Sequence, residues 1–255
     1  MKLATWNVNS LKVRLPQLLD WLASTHPDAI CLQETKLEDA KFPHAELETA
    51  GYRCAFSGQK TYNGVATLCR GEPSDVVTQL PGDGDEAQKR LIAVTTGGVR
   101  VINVYVPNGE SVDSDKYRYK LDWLKRLRDF VADELQQGRD VVLTGDYNIA
   151  PEPRDVHDPA AWEGQVLFSE PERAAFRALA ETGLVDVFRR FDQPPASFSW
   201  WDYRMNGFKR NLGLRIDHIL ASTALAERCR SCRIDVEPRN AGRPSDHAPV
   251  VAEFS

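Results

Sequence analysis

Two spacings of apolar residues alternate along the chain. Over Leu11–Thr25 the positions Leu11, Leu15, Leu18, Leu19 and Leu22 recur at the period of one helix face, with Asn9 or Ser10 placed to cap it. Lys116–Gln136 repeats that period through Leu121, Leu124, Leu127, Val131 and Leu135, and Gly138 stops it. Ser169-x-x-Glu172 has the form of a capping box and starts a helix that runs to Gly183. Short apolar runs between turn formers predict strands over Leu3–Trp6, Ala29–Gln33, Gly51–Ser57, Gly64–Cys69, Leu91–Thr96 and Val99–Val106. Further strands are predicted over Val141–Thr144, Ser197–Trp200, Leu214–Ala221, Ile234–Pro238 and Pro249–Phe254. Asp155–Phe168 has little periodicity and reads as an excursion loop. No linker, repeat or low-complexity tract separates two halves, so the pattern predicts one domain over residues 1–255. Many strands with few long helices suit an α/β fold of two packed mixed β-sheets with helices on both outer faces.

Five of these runs end on, or enclose, ligand-type side chains. Asn7 and Asn9 follow the first, Glu34 the second, and Asp146 and Asn148 follow Val141–Gly145. Asp217 and His218 lie within Leu214–Leu220, and Asp246 and His247 precede the last strand. Gathered at one rim, such side chains make a site for a hard cation, because Mg²⁺ takes oxygen ligands and retains water. Asp146 and Asn148, two apart in extended chain, share a face. A carboxylate beside an amide suits an attacking water and a developing oxyanion. In Pro244-Ser-Asp-His247 an exposed imidazole is placed to touch phosphate or carry a proton. Asp217, inside Arg215-Ile-Asp-His-Ile219, is a charge among apolar neighbours that needs a partner, and it suits an orienting role toward that imidazole. Glu34 reads as the principal metal ligand with Asn7 nearby. The plainer alternatives are strand-end turns for the Gly-Asp and Asn positions and an ion pair with Arg215 for Asp217. His218, His26, His44 and His157 have no such context and read as structural or surface residues.

Composition narrows this only a little. Hydrophobic content of 42% and charge of 27% are those of an ordinary soluble domain. No run is long and apolar enough to cross a bilayer, and Lys2–Trp6 opens without a signal-peptide core, so the chain reads as cytoplasmic. Five cysteines make no disulfide framework. Cys229-x-x-Cys232 has no second pair for zinc and reads as reduced thiols near a helix end. A net charge of −5 argues, as an average, against a nucleic-acid partner. Yet Lys36, Lys60, Arg90, Lys209, Arg210 and Arg215 all lie near the motif segments, and together they predict a phosphate-contacting rim around an acidic centre. Scattered solvated cations are the alternative. Gly82–Ala87 has the spacing of a dinucleotide-binding turn, but its acids repel a pyrophosphate and no strand feeds it into a helix. No Gly-Lys-Ser/Thr loop exists, which excludes nucleotide hydrolysis of that kind.

Six segments in order carry a resemblance: Trp6-Asn-Val-Asn9, Leu32-Gln-Glu-Thr-Lys36, Asn103-Val-Tyr-Val-Pro-Asn108, Gly145-Asp-Tyr-Asn148, Gly213-Leu-Arg-Ile-Asp217 and Ser245-Asp-His247. Across essentially its whole length the chain resembles the exonuclease III type apurinic/apyrimidinic endonucleases. The resemblance implies a four-layered α/β sandwich and a monomer that hydrolyses DNA phosphodiesters with Mg²⁺, Mn²⁺ being able to substitute. Its substrates would be double-stranded DNA with abasic sites or 3′ ends, cut 5′ to the abasic site, freed of 3′-blocking groups or degraded 3′→5′. By position, Asn7, Glu34, Asp146, Asn148, Asp246 and His247 match residues around the metal and phosphate. Tyr105 matches a tyrosine that reaches the phosphate or leaving group, Asp146 the residue that activates water or protonates the leaving oxygen, and Asp217 the partner of the catalytic histidine. Ser199-Trp-Trp-Asp-Tyr203, through Trp200, with Leu214 and Ile216 resembles the pocket for a flipped-out baseless sugar, which a narrow apolar site would select over a complete nucleotide. Lys60, Tyr62 and Asn63, with Arg90 and Asn108, fall where family members contact DNA. Asn108–Asp115 lacks a basic residue, so a clamp from this loop would differ from that of some relatives. The shape of Asp155–Phe168 bears on whether 3′ ends or internal abasic sites are preferred. Two rival readings, a phosphatase for inositol phosphates or sphingolipids and a nucleic-acid regulator without catalysis, fit the pocket and the filled catalytic positions less well.

Overall fold

The computed structural model describes residues 1–84 and 87–255. Fourteen strands run β1 (Lys2–Asn7), β2 (Ala29–Gln33), β3 (Arg53–Ser57), β4 (Val65–Cys69), β5 (Ser74–Val77), β6 (Leu91–Thr96), β7 (Val99–Tyr105), β8 (Asp140–Asp146), β9 (Leu184–Asp186), β10 (Trp200–Trp201), β11 (Gly213–Leu214), β12 (Asp217–Ser222), β13 (Cys229–Ile234) and β14 (Val250–Phe254) among the described residues. The α-helices are α1 (Leu11–Thr25), α2 (His44–Thr49), α3 (Asp115–Gln136), α4 (Pro159–Trp162), α5 (Glu170–Ala180) and α6 (Thr223–Glu227). One six-stranded sheet has the order β13-β14-β1-β2-β4-β3 and the other β5-β6-β7-β8-β12-β9. Each is mixed: β1–β2 and β7–β8 pair in parallel, the remaining neighbours antiparallel.

Alternation along each strand builds the layers. In β1, Ala4 and Trp6 join Leu18, Trp21 and Leu22 of α1 on the outside of the first sheet, while Leu3 faces the second sheet. In β8, Val141 and Leu143 pack under Trp123, Leu127 and Val131 of α3 and Phe176 of α5, while Val142 faces inward. The inner layer joins Leu3, Cys31, Val101, Val142, Ile219 and Val250 across the two sheets. The result is the four-layered sandwich.

The departures from expectation are local. Ile234–Pro238 is not a strand; β13 covers Cys229–Ile234 instead, and Glu237–Asn240 forms a 3₁₀ turn that contains Pro238. Proline has no N–H to give to a ladder, and Cys229–Ile234 supplies the partner that β14 needs. Cys229 and Cys232 thus lie in a strand just after α6, with Cys232 facing the inter-sheet core, and all five cysteines are free. β5 escapes the pattern because Ser-Asp-Val-Val is a short, largely exposed edge without an apolar run. Ser10 stands at the α1 N-cap with φ 87° and makes no side-chain cap bond there. Within Asp155–Phe168 sits α4, and the chain after it packs into an apolar cluster. The Gly82–Ala87 spacing includes residues 85 and 86, which lie outside the described residues. No helix among the described residues is long and apolar enough to cross a membrane.

Candidate active site

Along the inner faces of both sheets the side chains change from apolar to polar to ionisable toward one rim. β1 runs Leu3, Thr5, Asn7; β7 runs Val101, Asn103, Tyr105; β8 runs Val142, Thr144, Asp146. Because β1, β2, β7 and β8 all end at this rim and β12 and β14 begin there, it collects Asn7, Glu34, Tyr105, Asp146, Asp217 and His247. The middle layer is hydrogen-bonded through the Gln33 and Asn103 amide nitrogens, while Gln33 Oε1 is buried without a partner among the described residues. Gln33 Nε2 donates to Thr5 Oγ1 at 2.9 Å and to Asn103 Oδ1 at 2.8 Å, and Asn103 Nδ2 donates to Ala66 O at 2.9 Å. This polar seam joins the two sheets directly behind the rim.

At the rim, Asn7 Nδ2 donates to Glu34 Oε1 and Asp146 Oδ2, both at 2.8 Å, and Asn7 Oδ1 accepts from Asn9 N at 2.9 Å. Asn7 therefore presents its N–H groups to the carboxylates and bridges them. Ligand atoms of Glu34, Asp146 and His247 lie within 4.8 Å of one another. Lys36 Nζ is 2.8 Å from Glu34 Oε2 and donates to Asn9 Oδ1 at 2.5 Å. Glu34 has φ 52° and Asn148 φ 48°. For glutamate such backbone is strained by about 1–2 kcal/mol. Flanking bonds hold it: Ser10 N to Glu34 O at 2.8 Å and Thr35 N to Gly64 O at 3.1 Å. Gly145 is required where it stands, because with φ 144° an added Cβ would lie 1.9 Å from Val104 O.

His247 is clamped between carboxylates. Its Nδ1 donates to Asp217 Oδ2 at 2.9 Å and its Nε2 faces Asp146 Oδ2 at 3.7 Å. Asp217 Oδ2 also accepts from Ser199 Oγ at 2.7 Å, and that hydroxyl accepts from Ile216 N and Asp217 N. Burial disfavours the charged imidazole, but Asp217 and then Asp146 outweigh it and push His247 up to about 10. Burial pushes Asp146 up to about 7, against the pull of His247. The ring thus keeps its proton through neutral pH, and a dication beside Asp146 would draw that carboxyl down again. Tyr105 is raised well above its ordinary value by burial and then by the charges of Glu34 and Asp146, so it stays a phenol donor.

Other expected residues sit further out. Asn148 N donates to Asp146 Oδ1 at 2.9 Å, while its side chain bonds Val106 O and, at 3.3 Å, Asn108 Nδ2. Asp246 lies beside the Glu34–Asp146–His247 group, next to His247 in sequence, and its oxygens accept from Asn9 Nδ2 at 2.9 Å and Trp200 Nε1 at 3.0 Å. Burial raises Asp246, yet His247, Trp200 and Asn9 outweigh it and hold the carboxyl below its usual range. Asp217 does not pair with Arg215, which is taken up by Asp155 and Asp186. A cavity of about 660 Å³ opens beside the rim, lined by Tyr62, Asn63, Arg90 and Asn108. Arg90 stacks over the Tyr105 ring at 4.7 Å, Tyr62 is exposed and Lys60 points to solvent. Leu214 and Ile216 do not line an open pocket: both are fully buried in a cluster with Leu167 and Phe168, and Trp200 packs on its edge. Leu167 reaches it with φ 76°. The pattern reading gives no role to Ser245, whose hydroxyl donates to Asn7 O at 2.6 Å, or to Ser199, whose hydroxyl donates to Asp217; each opens a quoted motif, and that place is the available signal.

Residues 4–247 match the Endonuclease/Exonuclease/phosphatase family. The chain belongs to that family and is a phosphodiester hydrolase by membership. Among solved structures, a 3′ phosphatase from Neisseria bound to a product DNA hairpin is 50% identical with a TM-score of 0.98, covering 100% of this chain and 99% of that one. An AP endonuclease from Archaeoglobus fulgidus is 44% identical with a TM-score of 0.96, covering 100% of this chain and 99% of that one. The exodeoxyribonuclease III of Haemophilus influenzae is 39% identical, with both chains covered in full.

Proposed function

We propose that this protein is a DNA-repair nuclease, working as one domain and as a monomer, that hydrolyses phosphodiesters of double-stranded DNA at abasic sites and 3′ ends. The observation that carries this reading is the carboxylate–imidazole group at the inter-sheet rim, in a chain whose relatives are named exonuclease, 3′ phosphatase and AP endonuclease. Five free cysteines, most of them buried, suit a reducing cytoplasm.

The donor set at the rim is hard. Glu34 and Asp146 offer carboxylate oxygens, while Lys36 shows that a positive charge is favourable at that spot. These residues fit Mg²⁺, with Mn²⁺ as a substitute, and would hold it; bound there, the ion supplies charge neutralisation at the phosphate. Asp146, buried at the rim and held by the Asn7 amide and the Asn148 N–H, accepts a proton from the attacking water. Charged His247, oriented by Asp217, donates to a phosphate oxygen from Nε2. Tyr105 donates from its phenol toward the departing oxygen, and Asn148 supports Asp146 through its backbone N–H. Arg90 and the cavity beside it receive the DNA backbone.

The closed apolar cluster favours 3′ ends over internal abasic sites. A baseless sugar cannot enter between Trp200 and Leu214 unless the 167–168 segment moves, whereas a terminal phosphate need only reach the rim. The deciding experiment is a product analysis on labelled duplexes carrying an abasic analogue, a 3′-phosphate or an intact end, with Mg²⁺ or EDTA and with inositol phosphates as a control. Release of the 3′-phosphate faster than abasic incision is expected; cleavage of inositol phosphates alone would overturn the reading.

A further inference from the structure

Lys120 and Glu172 form an ion pair that is completely buried, with both side chains 0% exposed, 52 residues apart in sequence and outside the reacting group described above. The pair is saturated. Lys120 Nζ donates to Glu172 Oε1 at 2.5 Å, to Asn148 O at 2.7 Å and to Asn108 O at 3.0 Å, which accounts for all three of its protons. Glu172 Oε1 also accepts from Leu167 N at 3.0 Å, and Oε2 accepts from Ser169 N at 3.1 Å and from Ser169 Oγ. A carboxylate has about four lone-pair sites, and all are filled. Buried ion pairs are tolerated on such terms, and apolar replacements often stabilise as well, so stability alone gives little reason for this one.

What it holds explains it better. The two backbone carbonyls belong to Asn148, whose N–H bonds Asp146, and to Asn108, whose side chain meets that of Asn148 at 3.3 Å. Asn148 sits at φ 48°, a left-handed turn that asparagine accepts, and its carbonyl is held from outside by Lys120. Glu172 in turn anchors Leu167, the residue that closes the apolar cluster beside Trp200.

We propose that Lys120 is a positioning residue for strand cleavage: its ammonium, balanced by Glu172, fixes the Asn148 turn and hence the carboxylate of Asp146. The proposal rests on the nuclease reading above. Its probe is a duplex with a 3′-phosphate, cut by the full-length protein in Mg²⁺ under single-turnover conditions. Lys120→Met/Glu172→Gln removes both charges and so leaves no unpaired buried ion. Its cleavage rate falls at least ~30-fold while DNA affinity stays within about threefold, because misplacement of about 1 Å is worth that much. A folded double variant that cleaves at the parent rate overturns the proposal. Should the double variant not fold, Glu172→Gln carries the test, since an amine still has protons for both carbonyls. Its rate stays within about threefold on this reading; a loss as large as ~30-fold in folded Glu172→Gln would mean that the pair acts by anchoring residues 167–169 and not through Asn148. An inactive parent protein in the same assay would instead sink the nuclease reading.

Discussion

Arg215 offers a perturbation whose size follows from the structure. Its guanidinium is 1% exposed and contacts Asp155 Oδ1 at 2.6 Å and Asp186 Oδ2 at 2.8 Å, while Nη1 donates to His218 Nδ1 at 3.0 Å. Arg215→Met removes the cation and leaves both carboxylates in place. Breaking a buried pair costs about 3–5 kcal/mol. Asp155 keeps Arg189 and Asp186 is partly exposed, so the lower end applies, about 3 kcal/mol. For 255 residues at roughly 2.1 cal/mol/K each, the unfolding entropy is ~0.54 kcal/mol/K and Tm falls by about 6 °C. The pH dependence gives a second, independent reading. His218 is held well below its ordinary value by burial and then by Arg215. Above about pH 6.5 the ring is neutral in both states; below it only the unfolded chain takes a proton, so stability falls with pH by up to ~1.4 kcal/mol per unit. Without Arg215, and with Asp155 still close, His218 accepts a proton more readily in the folded state. The stability gap between parent and variant therefore narrows from pH 7.5 to 5.5 by at most about 1.4 kcal/mol, or about 2.6 °C in Tm. Melting followed by circular dichroism at both pH values measures it. A variant that melts within 1 °C or so of the parent, or a gap that widens on acidification, would refute this account of the buried charges.

Three further outcomes are expected. Asp146→Asn and His247→Ala each slow cleavage by at least ~100-fold, the scale of a positioned acid or base, while the melting curve stays cooperative; a folded His247→Ala protein with normal turnover would end its assigned role. EDTA abolishes strand scission and Mg²⁺ or Mn²⁺ restores it, read on the same labelled duplex, because Glu34 and Asp146 leave a hard-cation donor set; undiminished cleavage in EDTA is the contrary result. Gly145→Ala destabilises by more than about 4 kcal/mol, measured by urea unfolding, since a Cβ 1.9 Å from Val104 O forces β7 and β8 apart.

The parts of this molecule that a linear pattern can carry were legible: α1 at its observed bounds, most strands, and the identity of the ionisable tips. Strand alternation alone places Asp146 in line with Thr144 and Val142. What escaped is set by partners distant in sequence. Nothing near Asn7 says that its amide turns N–H groups to Glu34 and Asp146, because the bond from Asn9 N and two carboxylates 27 and 139 residues away decide it. Nothing in Ser-Asp-His says that Asn9 and Trp200, both far away in sequence, donate to the oxygens of Asp246. Leu214 and Ile216 have the right chemistry for a pocket wall, but the 167–168 segment that buries them lies in a stretch without periodicity. Ser169-x-x-Glu172 was readable as a capping box; that its glutamate also neutralises Lys120 was not, since Lys120 falls on the buried side of α3 by a period that predicts an apolar residue.

The rim group is also a joint between sheets. Asn7, Glu34 and His247 come from the β1–β2–β14 side and Tyr105, Asp146 and Asp217 from the β7–β8–β12 side. The bonds that define the group, Asn7 to Asp146 and His247 to Asp217, each cross between them. Three carboxylates at one edge repel, and His247, Lys36, the bridging Asn7 amide and the Gln33–Asn103 seam below oppose that repulsion in the chain itself. Apolar packing between Leu3, Val101, Val142 and Val250 therefore does more than stabilise the fold: it holds like charges together at a spacing that a dication then satisfies. On this argument the electrostatic strain at the rim and the capacity to bind a cation there are one property, and loosening the inter-sheet core should weaken both together.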